Sequence, residues 1–571
     1  MFSNIDAVVS EFVDTSPARL RARPGLWLMS AVASMCGVAL ALRLAGIGFG
    51  LPYEYHPDEV QYVRQAASMG TRGLEPTWWN DPPFYKYLLF AEDITFFGIG
   101  KLTGRFTSSA DFGTQLKLDP TPLYLLGRGT SAVMGALTLL LVYASGATAF
   151  SRLVGVLGAL FWATSFLAVR EAHFAVNDAT LTFCTTLVLL AAVRVARTPD
   201  RRWYVVAGIG LGVGFATKYS ALVGIVPFGI AFLISSGRNW RSLVNHLPNV
   251  ALAGSVACMA AIAASPYFAA TPGKVINDAY ESLYVPGREG FNGWEISNLG
   301  GYLYYADTLR WGLGWGMLLF SLAGVCMVLT RPSRTGLVVL SLPLSMYLFM
   351  GQEQMYFGRF ILPAIPPLVV LAGAVVLKVG QCLPQKRVRA LVVVTLGCLL
   401  VGPGLMTSLR FDTLLETRDT RTLAKNWIES NVASGAKIAT DWDFFGPPLA
   451  SSSLPVADSN RTFDVEIEEG KGLPDHELNW YVEQGFDYLV VSSYISDVRV
   501  LDPDAQEERD RFYRSLDDQL RPIKVIAPRS DGADAPFVYD EVYGPAVSTW
   551  HRDRPGPTLK IYAIAPLRSA H

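Results

Sequence analysis

Long apolar runs broken by short charged segments fill the first 409 positions of this chain, and the pattern then changes abruptly to charged and polar. A membrane-crossing helix needs about 20 mostly apolar residues. Runs of that kind fall at roughly 25–47, 122–149, 153–170, 178–196, 203–219, 221–236, 249–268, 311–330, 336–351, 361–379 and 390–409, which predicts about eleven spans. The run 84–103 is interrupted by Lys86, Glu92, Asp93 and Lys101. Several charges at membrane depth are costly, so a helix lying along the membrane surface is expected there.

After position 410 an amphipathic helix is expected over 422–431, and the short apolar runs 437–440, 488–492, 524–527 and 560–565 read as strands between turn-rich segments. The fold class is therefore a polytopic α-helical membrane protein of about eleven transmembrane helices. Interfacial helices are expected in its first outer loop, and a soluble mixed α/β domain at its C-terminus. The expected division is 1–409 and 410–571. No internal repeat or low-complexity tract stands out.

Lys and Arg in short loops collect on the cytoplasmic side. Arg19, Arg21 and Arg23 put the N-terminus inside, before an apolar run too long for a cleavable signal core. Eleven spans also place Arg152, the 194–202 arginines, Arg238 and Arg241, Arg331 and Arg334, and the 378–389 cluster inside. Counting 84–103 as a crossing would move most of them outside. The loops at about 48–121 and 269–310, and everything after about 410, are then expected to face outward.

Composition agrees with this picture. The 571 residues are 51% hydrophobic and 17% charged, against about 25% charged in a typical soluble protein. A net charge of −1 makes no case for nucleic acid. Six cysteines sit in or beside apolar runs without metal-ligand spacing.

Candidate chemistry gathers in the first outer loop. Tyr55-His56-Pro57-Asp58-Glu59 follows the first span; Pro57 can open a helix with two acids in its first turn. The plain reading is a helix start, and the functional one a general base near lipid. Lys86, after Asp81-Pro82-Pro83, is either a snorkelling lysine or a cation aimed at a lipid-linked phosphate. Arg128 opens the second span, Asp178 ends the turn after His173 and Asn177, Lys218 separates two short spans, and Arg359 opens the tenth. Snorkelling and helix capping are their plainer readings. The charge-derived topology brings all of them to one membrane face. Carboxylates and cations lining a lumen there suit displacement at a sugar carbon, with a carboxylate deprotonating the acceptor and cations stabilising a phosphate leaving group.

His56-Pro57-Asp58-Glu59, Pro82 to Lys86, Arg128, the His173 to Asp178 turn, Thr217-Lys218 and Arg359 to Pro363 together resemble the polytopic GT-C glycosyltransferases. The resemblance is to the branch of the protein O-mannosyltransferases and the lipid A aminoarabinose transferases. It covers about 25–440, including a segment from Arg421 similar to the start of the soluble domain of bacterial members.

It implies a transferase that moves one sugar, with inversion, from a polyprenyl-phosphate donor. Asp58 would be the base and Glu59 its support. Lys86, Arg128, Lys218 and Arg359 would hold the donor phosphate. His56, Tyr85, His173, Asn177, Asp178 and Tyr356 would contact substrate. No cofactor beyond the lipid-linked donor is implied. The aminoarabinose transferases carry an acidic residue before the matching lysine with a metal nearby; here it is Tyr85, which speaks against a divalent metal. The β-trefoil insertion of the protein mannosyltransferases is absent, so a lipid or glycan acceptor competes with a protein one.

Aromatics of the 269–310 loop, among them Tyr280, Tyr284, Phe291, Trp294, Tyr302, Tyr304 and Tyr305, are either an interfacial belt or an acceptor cover. The alternative function is a secondary transporter for an anionic or lipid-linked substrate, which would normally hold its charges near the midplane of a repeat-built fold.

Overall fold

The computed structural model describes residues 25–564 except 77–80, 238–239, 285–293, 296, 298, 354, 443 and 451–458. Arg19, Arg21, Arg23, Arg238 and Phe291 lie outside the described residues.

Seven helices among the described residues are long and apolar enough to cross a membrane, and nine if each of two bent pairs is one span. Leu28–Leu44 is a shorter apolar helix. The expected eleven are reached if that helix and Arg201–Thr217 also cross. Two expected spans differ in shape. The run at 153–170 is broken at Ser165, where Arg152–Thr164 meets the following helical segment at 61°. The run at 311–330 starts only at Trp315, because Gly314 (φ +78°) turns the chain by 118° out of the helix Gly300–Leu313. Phe84–Leu102 is helical and does not meet the length-and-composition test for a span.

Small residues let the helices close on one another. A Cβ on Gly146 of Thr121–Ala149 would lie 2.9 Å from the Gly155 backbone of the next helix, so only glycine fits that approach.

The C-terminal region is a five-stranded sheet covered on both faces by helices. With β1 (Trp294–Glu295), β2 (Lys437–Asp441), β3 (Asp464–Glu468), β4 (Tyr488–Ser492), β5 (Arg499–Val500), β6 (Lys524–Ile526) and β7 (Leu559–Ala563), its order is β3-β2-β4-β7-β6. The β2 strand pairs parallel with β3 and β4, and β7 pairs antiparallel with β4 and β6.

Alternation along the strands divides two cores. Ile438, Val490 and Ile561 pack on Ala424 and Ile428 of helix Thr420–Asn431. Ala439, Leu489, Val491 and Tyr562 pack on Phe512 and Leu516 of helix Pro503–Gln519. Four strands stand where the alternation predicts them. The β3 and β5 strands and helix Pro503–Gln519 do not follow from apolar runs, since the first is mostly charged and the last carries a thin apolar stripe.

Two of the contacts that bind this region to the rest lie near the first loop and the 269–310 loop. The β1 strand pairs antiparallel with β5, Trp294 opposite Val500, in a separate two-stranded sheet that ties the 269–310 loop to the C-terminal region. Arg421 stacks 3.9 Å over the Tyr55 ring and donates to the Tyr55 carbonyl at 3.2 Å, just before the acidic pair.

Candidate active site

Helix Pro57–Arg72 begins as its sequence dictates. His56 is the N-cap and its Nδ1 accepts the Glu59 backbone N–H at 3.3 Å, while Pro57 sits at the first helical position. Burial, followed by Arg359, Arg170 and Arg128 nearby, pushes the His56 imidazole well below its ordinary range. A neutral ring is what this acceptor role requires. Asp58 and Glu59, one step apart on the first turn, diverge to different surroundings.

Asp58 heads a chain of alternating charges. Arg359 Nη2 lies 2.8 Å from Asp58 Oδ2. The same arginine's Nε lies 3.7 Å from Asp178 Oδ2, and Lys218 Nζ lies 2.9 Å from Asp178 Oδ1. Four expected site residues from four stretches of the chain therefore meet in one cluster. Its accessibility is graded: side-chain exposure is 30% at Asp58, 15% at Lys218, 9% at Arg359 and 2% at Asp178. Asp178 is not the cap of its helix; Asn177 occupies that position, and Asp178 in the first turn holds both cations. Rings shield the cations: Lys218 Nζ sits 4.3 Å from the Phe360 centroid, and the Arg359 guanidinium 4.5 Å from that of Phe357. Burial raises the Asp58 carboxyl above the ordinary carboxylate range, with Arg359 opposing.

Lys86 is fully buried and donates to the Asp81 carbonyl at 3.2 Å. Burial lowers its ammonium to about 8, against the opposing pull of Asp81. The Asp81 carboxylate accepts from Tyr62 at 2.6 Å and lies close enough to Asp58 to raise its pKa.

Other expected residues are built into the frame. Glu59 and Arg128 form a bidentate pair, both bonds 2.7 Å, and both are buried. Arg128 Nη1 also donates to the carbonyls of Ile47 and Phe49, and Glu59 Oε1 accepts the Ala175 N–H. A guanidinium and a carboxylate so fully engaged join the first loop to the His173–Asp178 turn. The geometry thus favours a framework role for Arg128 and Glu59 over phosphate binding and base support.

Tyr85 turns its hydroxyl to the Gly127 carbonyl and Ser131. His173 Nδ1 lies 2.8 Å from the Val169 carbonyl, and Nε2 lies 2.8 Å from the Ala45 carbonyl and 3.3 Å from Asp412 Oδ1. Asn177 Nδ2 donates to the Thr217 carbonyl, and its Oδ1 is buried without a hydrogen-bond partner. Tyr356 donates to the Ser297 carbonyl and packs against Tyr304 and Tyr305. Each of these lies beside the charge chain in the fold rather than in it.

Sequence reasoning passed over one contributor. The turn Tyr539–Tyr543, late in the C-terminal region, places the Tyr543 ring 4.3 Å from the Arg359 guanidinium and 5.3 Å from the His56 ring. Its neighbour Asp540 accepts the Gly358 N–H at 2.9 Å and the Tyr304 hydroxyl. An acidic residue between tyrosines carries no local signal of contact with a distant helix end.

Among the described residues no group of three or more His, Cys, Asp or Glu is arranged to hold a metal ion.

Residues 126–265, from Leu126 just before Arg128 through Asp178 and Lys218, match the family model described as Dolichyl-phosphate-mannose-protein mannosyltransferase. The structure of ArnT from Cupriavidus metallidurans in the apo state aligns over 94% of this chain and 99% of its own at TM-score 0.50 and 15% identity. The chain therefore shares the GT-C fold of that structure. The GT-C likeness extends to the apo Archaeoglobus fulgidus oligosaccharyltransferase, at TM-score 0.50 and 12% identity over 82% of this chain and 70% of that one. A second structure of the Cupriavidus ArnT, bound to undecaprenyl phosphate, aligns at TM-score 0.46 and 15% identity over 93% of this chain and 97% of its own. No curated protein matches the chain. The 94% coverage means that the likeness of fold takes in most of the helical region and of the C-terminal region.

Proposed function

We propose that this chain transfers a single sugar, with inversion, from a polyprenyl-phosphate donor to an acceptor outside the cytoplasm, with Asp58 as general base. The observation that carries the reading is the Asp58–Arg359–Asp178–Lys218 chain, in which the most accessible carboxylate stands against a guanidinium and a second cation lies one carboxylate away. The donor class follows the family model, whose description names a dolichyl-phosphate sugar.

In the proposed step an acceptor hydroxyl gives its proton to Asp58 as its oxygen attacks the anomeric carbon. The bond from that carbon to the phosphate oxygen breaks, and the phosphate leaves with the electron pair. A single displacement enters opposite the leaving group and inverts the carbon. Charge develops on the phosphate, where Arg359 and Lys218 stabilise it; Lys86 and Asp81 flank the same end. A phosphate competing for Arg359 loosens its hold on Asp58 and so releases the base when the donor is in place. The acceptor is a lipid, glycan or protein.

The deciding experiment is Asp58→Asn in full-length protein, with insertion confirmed, assayed for sugar transfer from polyprenyl-phosphate donors in membranes. Loss of a general base costs about 10²–10⁴-fold. Transfer at the wild-type rate would remove Asp58 from the mechanism.

A further inference from the structure

The Tyr539–Tyr543 turn reaches the charge chain from the far end of the sequence and is more rigidly held than a surface loop. Arg170 donates to the carbonyls of Asp540 at 2.6 Å, Gly544 at 2.9 Å and Pro545 at 3.1 Å. The Asp540 carboxylate ties the turn to Gly358 and Tyr304. Glu541 accepts the N–H groups of Ala546 and Ser548, the Ser548 hydroxyl and Arg552 Nη2. Gly544 closes the turn at φ +114°, where a Cβ would also lie 3.0 Å from the Phe174 ring. All five residues of the turn are buried.

What this frame presents is one ring. Tyr543 lies over the Arg359 guanidinium, 4.3 Å from it, and Phe357 flanks the same guanidinium at 4.5 Å. Asp540 fixes the backbone immediately before Arg359. A guanidinium is planar and stacks on aromatic faces, so the rings that flank it set the plane in which its N–H edge points. Here that edge faces Asp58 and Asp178.

We infer that Tyr543 is a positioning residue for Arg359, so that the C-terminal region completes the donor-phosphate site rather than only covering it. The inference rests on the polyprenyl-phosphate reading above. The membrane helices supply the cation, and the turn supplies its orientation.

The test is binding of decaprenyl phosphate, carrying no sugar, to detergent-purified full-length protein, alongside transfer kinetics. Tyr543→Leu keeps bulk and removes the ring; Tyr543→Phe keeps the ring and removes the hydroxyl. A cation–π contact of this kind and its loss correspond to a rise in Kd of about tenfold for the leucine variant and about threefold for phenylalanine. KM for the donor should rise in the same order, with kcat changing less. Asp540→Asn tests the anchor without touching the ring, and should weaken decaprenyl phosphate binding should the leucine variant fail to fold. Wild-type affinity in a folded Tyr543→Leu protein overturns the inference, and so do equal losses in the leucine and phenylalanine variants. If the wild-type protein itself does not bind decaprenyl phosphate, the donor reading falls and takes this one with it.

Discussion

Arg359 Nη2 stands 2.8 Å from Asp58 Oδ2, joining the first turn of helix Pro57–Arg72 to the opening turn of the helical stretch Gly358–Gln381. The arginine opposes protonation of Asp58. Asp58 also faces Asp178, Lys218 and Asp81, and burial is the largest influence on it. Its carboxyl is raised, so it takes up its proton at a higher pH than an ordinary carboxylate. A base is lost on protonation, so kcat/KM should fall on acidification before pH reaches the usual Asp range of about 3.9. Arg359→Gln removes the opposing cation and should move that acid limb further up; a pH–rate profile of both proteins shows it.

Lys86 bounds the alkaline side. With its ammonium lowered to about 8, it loses charge as pH rises through that value. If it holds phosphate, donor affinity should weaken over that interval. Lys86→Arg, charged throughout, should keep donor affinity level from pH 7 to 9; a retained alkaline fall would assign the titration to another group.

Glu59 and Arg128 should behave as framework. Removing one partner of a buried pair costs about 3–5 kcal/mol because the other charge stays buried. Glu59→Gln should therefore lower the unfolding midpoint of the purified protein much more than Asp58→Asn does. Asp58→Asn should show the reverse, with activity lost and stability kept. Thermal unfolding and transfer rate, measured on both variants, separate the two neighbours.

Orientation can be read by labelling. In a background with the six native cysteines replaced, Glu508→Cys on the exposed face of helix Pro503–Gln519 should react with a membrane-impermeant maleimide in intact cells. Gln385→Cys, exposed between two spans, should react only after permeabilisation. The opposite pattern would invert the proposed topology.

Much of the candidate cluster was legible before folding. Asp58, Asp178, Lys218 and Arg359 were recoverable because a charge at the end of an apolar run is costly, and the loop arginines sort those ends to one face. The expectation for Arg128 and Glu59 went further than linear order allows. Adjacent acids on one helical turn point about 100° apart, and only packing against the His173–Asp178 turn shows that Glu59 looks inward while Asp58 looks to Arg359. Tyr543 was invisible for a different reason: a contact between positions 359 and 543 has no local periodicity to announce it.

Hydrophobic length and the spacing of cations are local quantities, so the linear order of residues suffices to dictate most of the long apolar helices and four strands of the C-terminal sheet, though not the breaks at Ser165 and Gly314. Partner choice is not local. Which carboxylate meets which guanidinium, and which ring lies over it, depends on how the Tyr539–Tyr543 turn docks against the helix ends. That docking is decided by many buried hydrogen bonds made at once.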